Sequence, residues 1–190
     1  HVAPAVYTVS QLLGGFGAVT EWWLKLLWPD VPERFSELAA ALAASPPGAN
    51  DLLFLPLGGS AQIGGGPGGF VGLRLDHTRA DMVRAVCEGI ACEVRWALAT
   101  LAAPNPRAQG LGRPGGAPHS PGGRALLASV TAMPVYAAPG ANWPARGAAL
   151  LAGVGVGLLP DLATSAAHWR LPLTEILPDP QVRDLYAARF

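Results

Sequence analysis

Asp76 and His77 stand side by side in the sequence, and Glu88 follows further along. An acid beside an imidazole is the pairing that general acid–base and nucleophilic catalysis use. A Ser/His/Asp relay also needs a serine raised on a G-x-S-x-G elbow, and the sequence contains no such elbow. Asp76 and His77 are therefore read as strand-end polar residues that satisfy the start of the next helix. Glu88 is read as a solvated or paired helix residue rather than a general base. Cys87 and Cys92 lie five positions apart on an expected helix. They point to different faces, out of easy disulfide reach, and no metal-ligand spacing surrounds them. Both are expected to be small apolar packing residues.

Two stretches match G-x-G-x-x-G: Gly64, Gly66 and Gly69, then Gly110, Gly112 and Gly115. A dinucleotide fingerprint follows a strand and opens a helix. The first stretch precedes a strand and the second follows a loop, so neither is a cofactor signal. Trp22, Trp23 and Trp28 could form a sugar platform, but core packing or a buried interdomain face is the better account.

The elements that must position these residues come from one domain's worth of chain. The sequence has 190 residues, 51% hydrophobic and 14% charged, with thirteen acids, thirteen bases and no charge block. That suits a single core-bearing domain and gives no reason to expect a nucleic-acid partner. The two cysteines fit a reducing, cytoplasmic setting. The longest run of small apolar residues, Gly147 to Leu159, is too short and glycine-rich to span a bilayer and is expected to be a buried helix. Gly and Pro cluster at Pro46–Gly48, Gly58–Gly69 and Pro104–Gly123, which mark the loops.

Val6–Val9 reads as a strand, and Ala18–Trp28 as a helix ended by Pro29. Asp30 with Glu33 suggests a capping box for a second helix over Pro32–Ala44. Leu52–Leu55 is a continuous apolar strand, expected to be buried on both faces. Phe70–Leu75 is a further strand. Thr78 and Asp81 cap a long helix over Arg79–Leu101, whose polar residues Asp81, Arg84, Glu88 and Arg95 share roughly one face. Arg84 and Glu88, four apart, can pair weakly. A helix over Arg124–Ala132, a strand over Pro134–Ala137, a helix over Ala145–Gly157 and a last helix over Pro180–Phe190, capped by Asp179, complete an α/β alternation.

The segment from Gly68-Gly69-Phe70-Val71-Gly72-Leu73-Arg74 through His77-Thr78-Arg79-Ala80-Asp81 to Glu88-Gly89-Ile90 resembles the second signature of the FGGY carbohydrate kinases. Only Cys87 departs from it. Leu52-Leu53-Phe54-Leu55-Pro56 is similar to that family's "LFLP" strand. Gly17-Ala18-Val19-Thr20-Glu21-Trp22 is similar to its glycine-then-tryptophan helix, and Arg146-Gly147-Ala148-Ala149-Leu150-Leu151-Ala152 to its "GAALLA" helix. The resemblance runs from about Tyr7 to Tyr186 and is most like the xylulokinases.

The resemblance implies an actin-like (ribonuclease-H-like) ATPase fold, with residues 1–190 as the C-terminal, nucleotide-side domain only. Sugar and the catalytic Asp would belong to an N-terminal domain, absent here, and no Asp of this sequence matches that motif. ATP with Mg²⁺ is the implied cofactor pair, and a sugar hydroxyl, first of all a ketopentose's, the implied acceptor; a homodimer is compatible. Two nucleotide contacts carry over: Gly17 and Glu21 on the first helix, and a glycine turn matched by Gly115, Gly116 and Ala117 with Ser120 as its polar residue. The turn departs from the family pattern. Pro114 replaces its first glycine, His119 looks inserted, and Pro104–Arg113 lacks the apolar strand that leads into it. The "GER" loop stands as Gly59-Ser60-Ala61. The alternative is a degenerate, non-catalytic module that binds nucleotide weakly or only packs against a partner.

Overall fold

The computed structural model describes residues 16–56, 67–102, 109–112, 120–138 and 142–190. The expected strand at Val6–Val9, the Gly59–Ala61 loop and the turn at Gly115–Ala117 lie outside these residues. Two short sheets and seven helices build the described fold. Helix α1 (Phe16–Leu27) and α2 (Arg34–Ala44) come first, then strands β1 (Leu53–Leu55) and β2 (Gly69–Val71) and the long helix α3 (Arg79–Ala102). Strand β3 (Leu111–Gly112), α4 (Pro121–Thr131), β4 (Val135–Ala137), α5 (Trp143–Gly155), α6 (Leu162–His168), β5 (Thr174–Ile176) and α7 (Pro180–Arg189) follow.

β1 and β2 pair antiparallel, with Phe54 opposite Phe70. β3 and β4 pair parallel, so β3-α4-β4 is one crossover unit, and β5 joins β4 antiparallel. Strand β3 corrects the expectation that no strand precedes the glycine turn. Only two residues form it, too few to stand out in a loop-like composition. α6 and β5 were not anticipated either, although Asp161 caps α6 by accepting from the Thr164 N–H.

α3 is the axis of the fold. One core joins Leu24 of α1, Leu38 and Leu42 of α2, Val83 and Cys87 of α3, Leu126 and Val130 of α4, and Tyr186 of α7. A second core sets Leu52 and Phe54 against Ala85 and Val86 of α3, with Trp23 and Phe70 packed on it. Trp23 meets Phe54 and Phe70 edge-on, at centroid distances of 5.9 and 5.1 Å. That geometry suits ring quadrupoles and makes Trp23 a core residue. Gly89 permits the close approach of α3 to β1, because a Cβ there would lie 2.3 Å from the Phe54 carbonyl oxygen.

The cap at Thr78 forms as expected. Asp81 accepts from the Thr78 N–H and hydroxyl, and Thr78 Oγ1 accepts from the Asp81 N–H. The Asp30–Glu33 box does not form. α2 begins after Glu33, which makes no side-chain cap, and Arg34 instead donates to the carbonyls of Trp28 and Pro29. α4 starts at Pro121 rather than Arg124, because proline at the first helical position costs no hydrogen bond. β2 stops at Val71, where Gly72 turns the chain at φ +82°.

Two burial expectations are overturned. β1 is buried on one side only: Phe54 is buried, while Leu53 and Leu55 are 44% and 54% exposed, because the two-stranded pair is packed on one face, against α3 and Trp23 of α1, and its other face is open. α5 is not a buried helix: it packs chiefly on α6 and leaves Leu151 exposed, as are Val156 and Leu158 after it. On the polar stripe of α3 the expected pairing of Arg84 with Glu88 forms, and Asp81 and Glu88 are buried under Ser45, Gly48 and Tyr186. No helix among the described residues is long and apolar enough to cross a membrane.

Candidate functional site

The two helix starts singled out in the sequence belong to one helical layer. α1 and α4 both pack on α2 and α3. Gly17 and Glu21, four apart, share the outer face of α1 and are exposed, while Thr20 and Leu24 face inward. A Cβ at Gly17 would meet nothing within 4 Å. The fold itself therefore does not require glycine at this position, and the open backbone suits an approaching ligand.

Ser120 caps α4. Its Oγ accepts from the Gly123 N–H at 3.2 Å. Capping is a structural role, yet the hydroxyl keeps one proton to donate. The first turn of α4 is Pro121-Gly122-Gly123, with Gly122 exposed. Pro121 has no N–H and the Gly123 N–H is taken by Ser120, so this turn presents at most the Gly122 N–H outward. Of the expected nucleotide contacts, Gly17 and Glu21 are exposed on α1 and Ser120 is half-buried at the start of α4; Gly115, Gly116 and Ala117 fall outside the described residues.

The ionisable residues of α3 are used otherwise. Glu88 Oε1 accepts from the Gly48 N–H at 2.9 Å and the Tyr186 hydroxyl at 2.8 Å, and pairs with Arg84 at 3.4 Å. Burial pushes its pKa up, against those three donors. Burial also raises Tyr186, reinforced by the neighbouring Glu88. Asp81 goes the other way: burial opposes ionisation, but hydrogen bonds from Ser45, Thr78 and Asn50 prevail and hold its pKa at about 2. These are satisfied structural groups, not a poised base.

Much of this network holds a turn that the sequence reading missed. Gly48, Ala49, Asn50 and Asp51 all have positive φ, from +49° to +86°. Ala49 is strained there by about 1–2 kcal/mol, while Asn50 and Asp51 are residue types that tolerate the region better. Glu88 anchors Gly48, Asp81 anchors Asn50, and Arg189 donates to the Gly48 carbonyl and the Asp51 carboxylate. The Asn50 carbonyl accepts from Arg74 at 3.0 Å. His77 Nδ1 accepts from the Arg74 N–H, so Nε2 carries the proton and donates to the Asn50 carbonyl at 3.0 Å. His77 thus braces this turn instead of satisfying the helix start, and Asp76 is exposed beside Arg74. The Gly-Ala-Asn-Asp sequence was the available signal, because Gly, Asn and Asp tolerate left-handed backbone.

Cys87 and Cys92 are free thiols, Cys87 buried. No group of three or more His, Cys, Asp or Glu able to hold a metal occurs among the described residues.

Comparison with known proteins follows the same lines. Residues 1–156 match the model of the FGGY family of carbohydrate kinases, C-terminal domain. L-xylulose/3-keto-L-gulonate kinase of Escherichia coli is 29% identical over 88% of this chain and 34% of its own length. Xylulose kinase of Staphylococcus epidermidis is 27% identical over 98% of this chain and 38% of its own. Among solved structures, xylulose kinase from Rhodospirillum rubrum superposes with a TM-score of 0.74 at 30% identity, covering 90% of this chain and 35% of that one. Ligand-bound xylulose kinase from Lactobacillus acidophilus also gives 0.74, at 28% identity over the same shares. The chain thus spans about a third of the length of the relatives it matches.

Proposed function

The chain belongs to the FGGY family of carbohydrate kinases, with the actin-like ATPase fold of that family's C-terminal domain, and from that premise we propose that it is the nucleotide-side domain of a xylulokinase-like sugar kinase. In this reading residues 1–190 form a single domain that binds ATP. A separate domain supplies sugar and the catalytic base, and the γ-phosphoryl group passes to a sugar hydroxyl, a ketopentose's by first choice. Phosphoryl transfer depends mainly on positioning and charge stabilisation, so a domain that only seats the nucleotide still contributes to it.

The observation that carries the reading is the pair of accessible helix starts. Gly17 is exposed with open space around it and Glu21 lies on the same face. Ser120 caps α4 beside an exposed Gly122. In this reading the adenosine lies on the open α1 backbone, the Ser120 hydroxyl donates to a polar group of the nucleotide, and Gly115, Gly116 and Ala117 are the expected glycine turn. In this reading Mg²⁺ enters with the nucleotide, as the ion that accompanies ATP.

A second reading has its own support. Leu151, Val156 and Leu158 on and after α5 are exposed, and an apolar face of this kind favours association. A chain that only packs against a partner would use that face and leave the nucleotide contacts idle.

Calorimetric titration of the chain with Mg-ATP tests the first reading, with a thermal shift as check. Saturable binding and a rise in melting temperature are expected, because a ligand of the native state stabilises it by mass action. A folded chain that binds no ATP would leave the packing module as the better account.

A further inference from the structure

A cavity of about 570 Å³ opens between β1, α3 and the end of α7. Its volume lies in the range of small-molecule sites, about 300–1,000 Å³. None of the candidate nucleotide contacts Gly17, Glu21 and Ser120 lines it. Leu53, Leu55, Trp96 and Phe190 give it apolar walls, and Glu88, with Tyr186 donating to it, lies among the lining residues. The exposed leucines of β1 belong to this cavity, so the open face of the strand is one wall of a concave site.

The charge of the lining restricts what fits. Glu88 and Glu93 are its acids, and Arg189 is the one cation among the described lining residues. Arg189 is already committed to the Gly48 carbonyl and the Asp51 carboxylate. Anions therefore find no available counter-charge there. The fold's partners of Glu88 all engage Oε1, which leaves Oε2 to accept from a ligand. We propose that this cavity binds a small apolar molecule, uncharged or singly cationic, whose ring or chain lies against Leu53, Leu55 and Trp96 and whose hydroxyl or ammonium group donates to Glu88. Such a site is distinct from Gly17, Glu21 and Ser120 and rejects polyanions, ATP included.

The test uses the whole chain and N-phenyl-1-naphthylamine, a neutral fluorescent probe, with phenethylamine and phenylacetate as competitors of nearly equal size and opposite charge. Cys92 lines the cavity, and its alkylation by N-ethylmaleimide reports occupancy, with buried Cys87 as the internal comparison. One probe should bind per chain and slow alkylation of Cys92. Phenethylamine should displace the probe at a concentration about tenfold below that of phenylacetate. Leu55→Lys, at a position half exposed and therefore tolerant, should weaken probe binding by about tenfold without unfolding the chain. Equal competition by the two compounds, or probe binding indifferent to Leu55→Lys, would overturn the proposal. So would a chain that light scattering shows to be a dimer with Cys92 protected and the probe excluded, because a second copy would then fill the cavity.

Discussion

The Tyr186 hydroxyl donates to Glu88 Oε1 at 2.8 Å, joining α7 to α3 across 98 residues of sequence. Residue 186 lies beyond the stretch matched by the family model, which ends at residue 156, so α7 fastens itself to the family's core by a buried charge-assisted bond. Tyr186→Phe should destabilise the chain by about 1.5–3 kcal/mol, the usual worth of a hydrogen bond to a charged group. Glu88→Ala should cost more, about 3–5 kcal/mol, because it leaves the Arg84 guanidinium, 11% exposed, without its carboxylate. Urea unfolding of the two variants measures both.

Acid should weaken the fold through Asp81. Its folded pKa of about 2 lies below the ordinary carboxylate value of 3.8, so its stabilisation is fully present above about pH 4 and is lost as pH falls through 2. The difference corresponds to about 2 kcal/mol. Unfolding free energies measured between pH 5 and pH 2 should show this loss, and Asp81→Asn should remove most of that pH dependence. Glu88 has the opposite sign: its raised pKa favours the folded state below the unfolded value, and that contribution fades as pH rises through the folded pKa.

Gly89→Ala should be among the more damaging single substitutions. The new Cβ would sit 2.3 Å from the Phe54 carbonyl oxygen, and that atom belongs to the backbone of β1 and cannot swing aside. Separation of α3 from β1 should cost about 1–3 kcal/mol by overpacking, read as a lower melting temperature.

Gly17→Ala should act in the opposite sense on the free chain. Its Cβ meets nothing, so replacing glycine in a helix should stabilise by up to about 1 kcal/mol. The same variant should weaken Mg-ATP binding if the nucleotide lies on that backbone. A gain in melting temperature with unchanged ATP affinity would remove Gly17 from the proposed site.

The exposed apolar residues on and just after α5 should drive association. Leu151→Lys with Leu158→Lys should leave stability within about 0.5 kcal/mol, as surface changes do, while shifting the sedimentation profile toward monomer. An unchanged profile would mean that this face stays open.

What the sequence determined by itself was local. Thr78 with Asp81, and Asp179 before Pro180, announced their helices, because a cap is complete within three residues of chain. The glycine-aromatic turn leading into α3 was a specific enough order of residues to announce the family. Burial was not local and only the tertiary structure decided it. Asp81 and Glu88 stood on one polar stripe of α3, Asp81 as a cap and Glu88 as solvated or paired; that Ser45, Gly48 and Tyr186, between 36 and 98 residues away, close over them was not visible in the stripe. β1 looked buried on both faces, yet among the described residues α3 and Trp23 of α1 pack on one face of the pair it forms with β2, and its leucines line a cavity instead. α5 read as a core helix from composition alone, but a run of small apolar residues says only that close packing is possible. Whether another element arrives to make that packing is set by topology, which no window of a dozen residues contains.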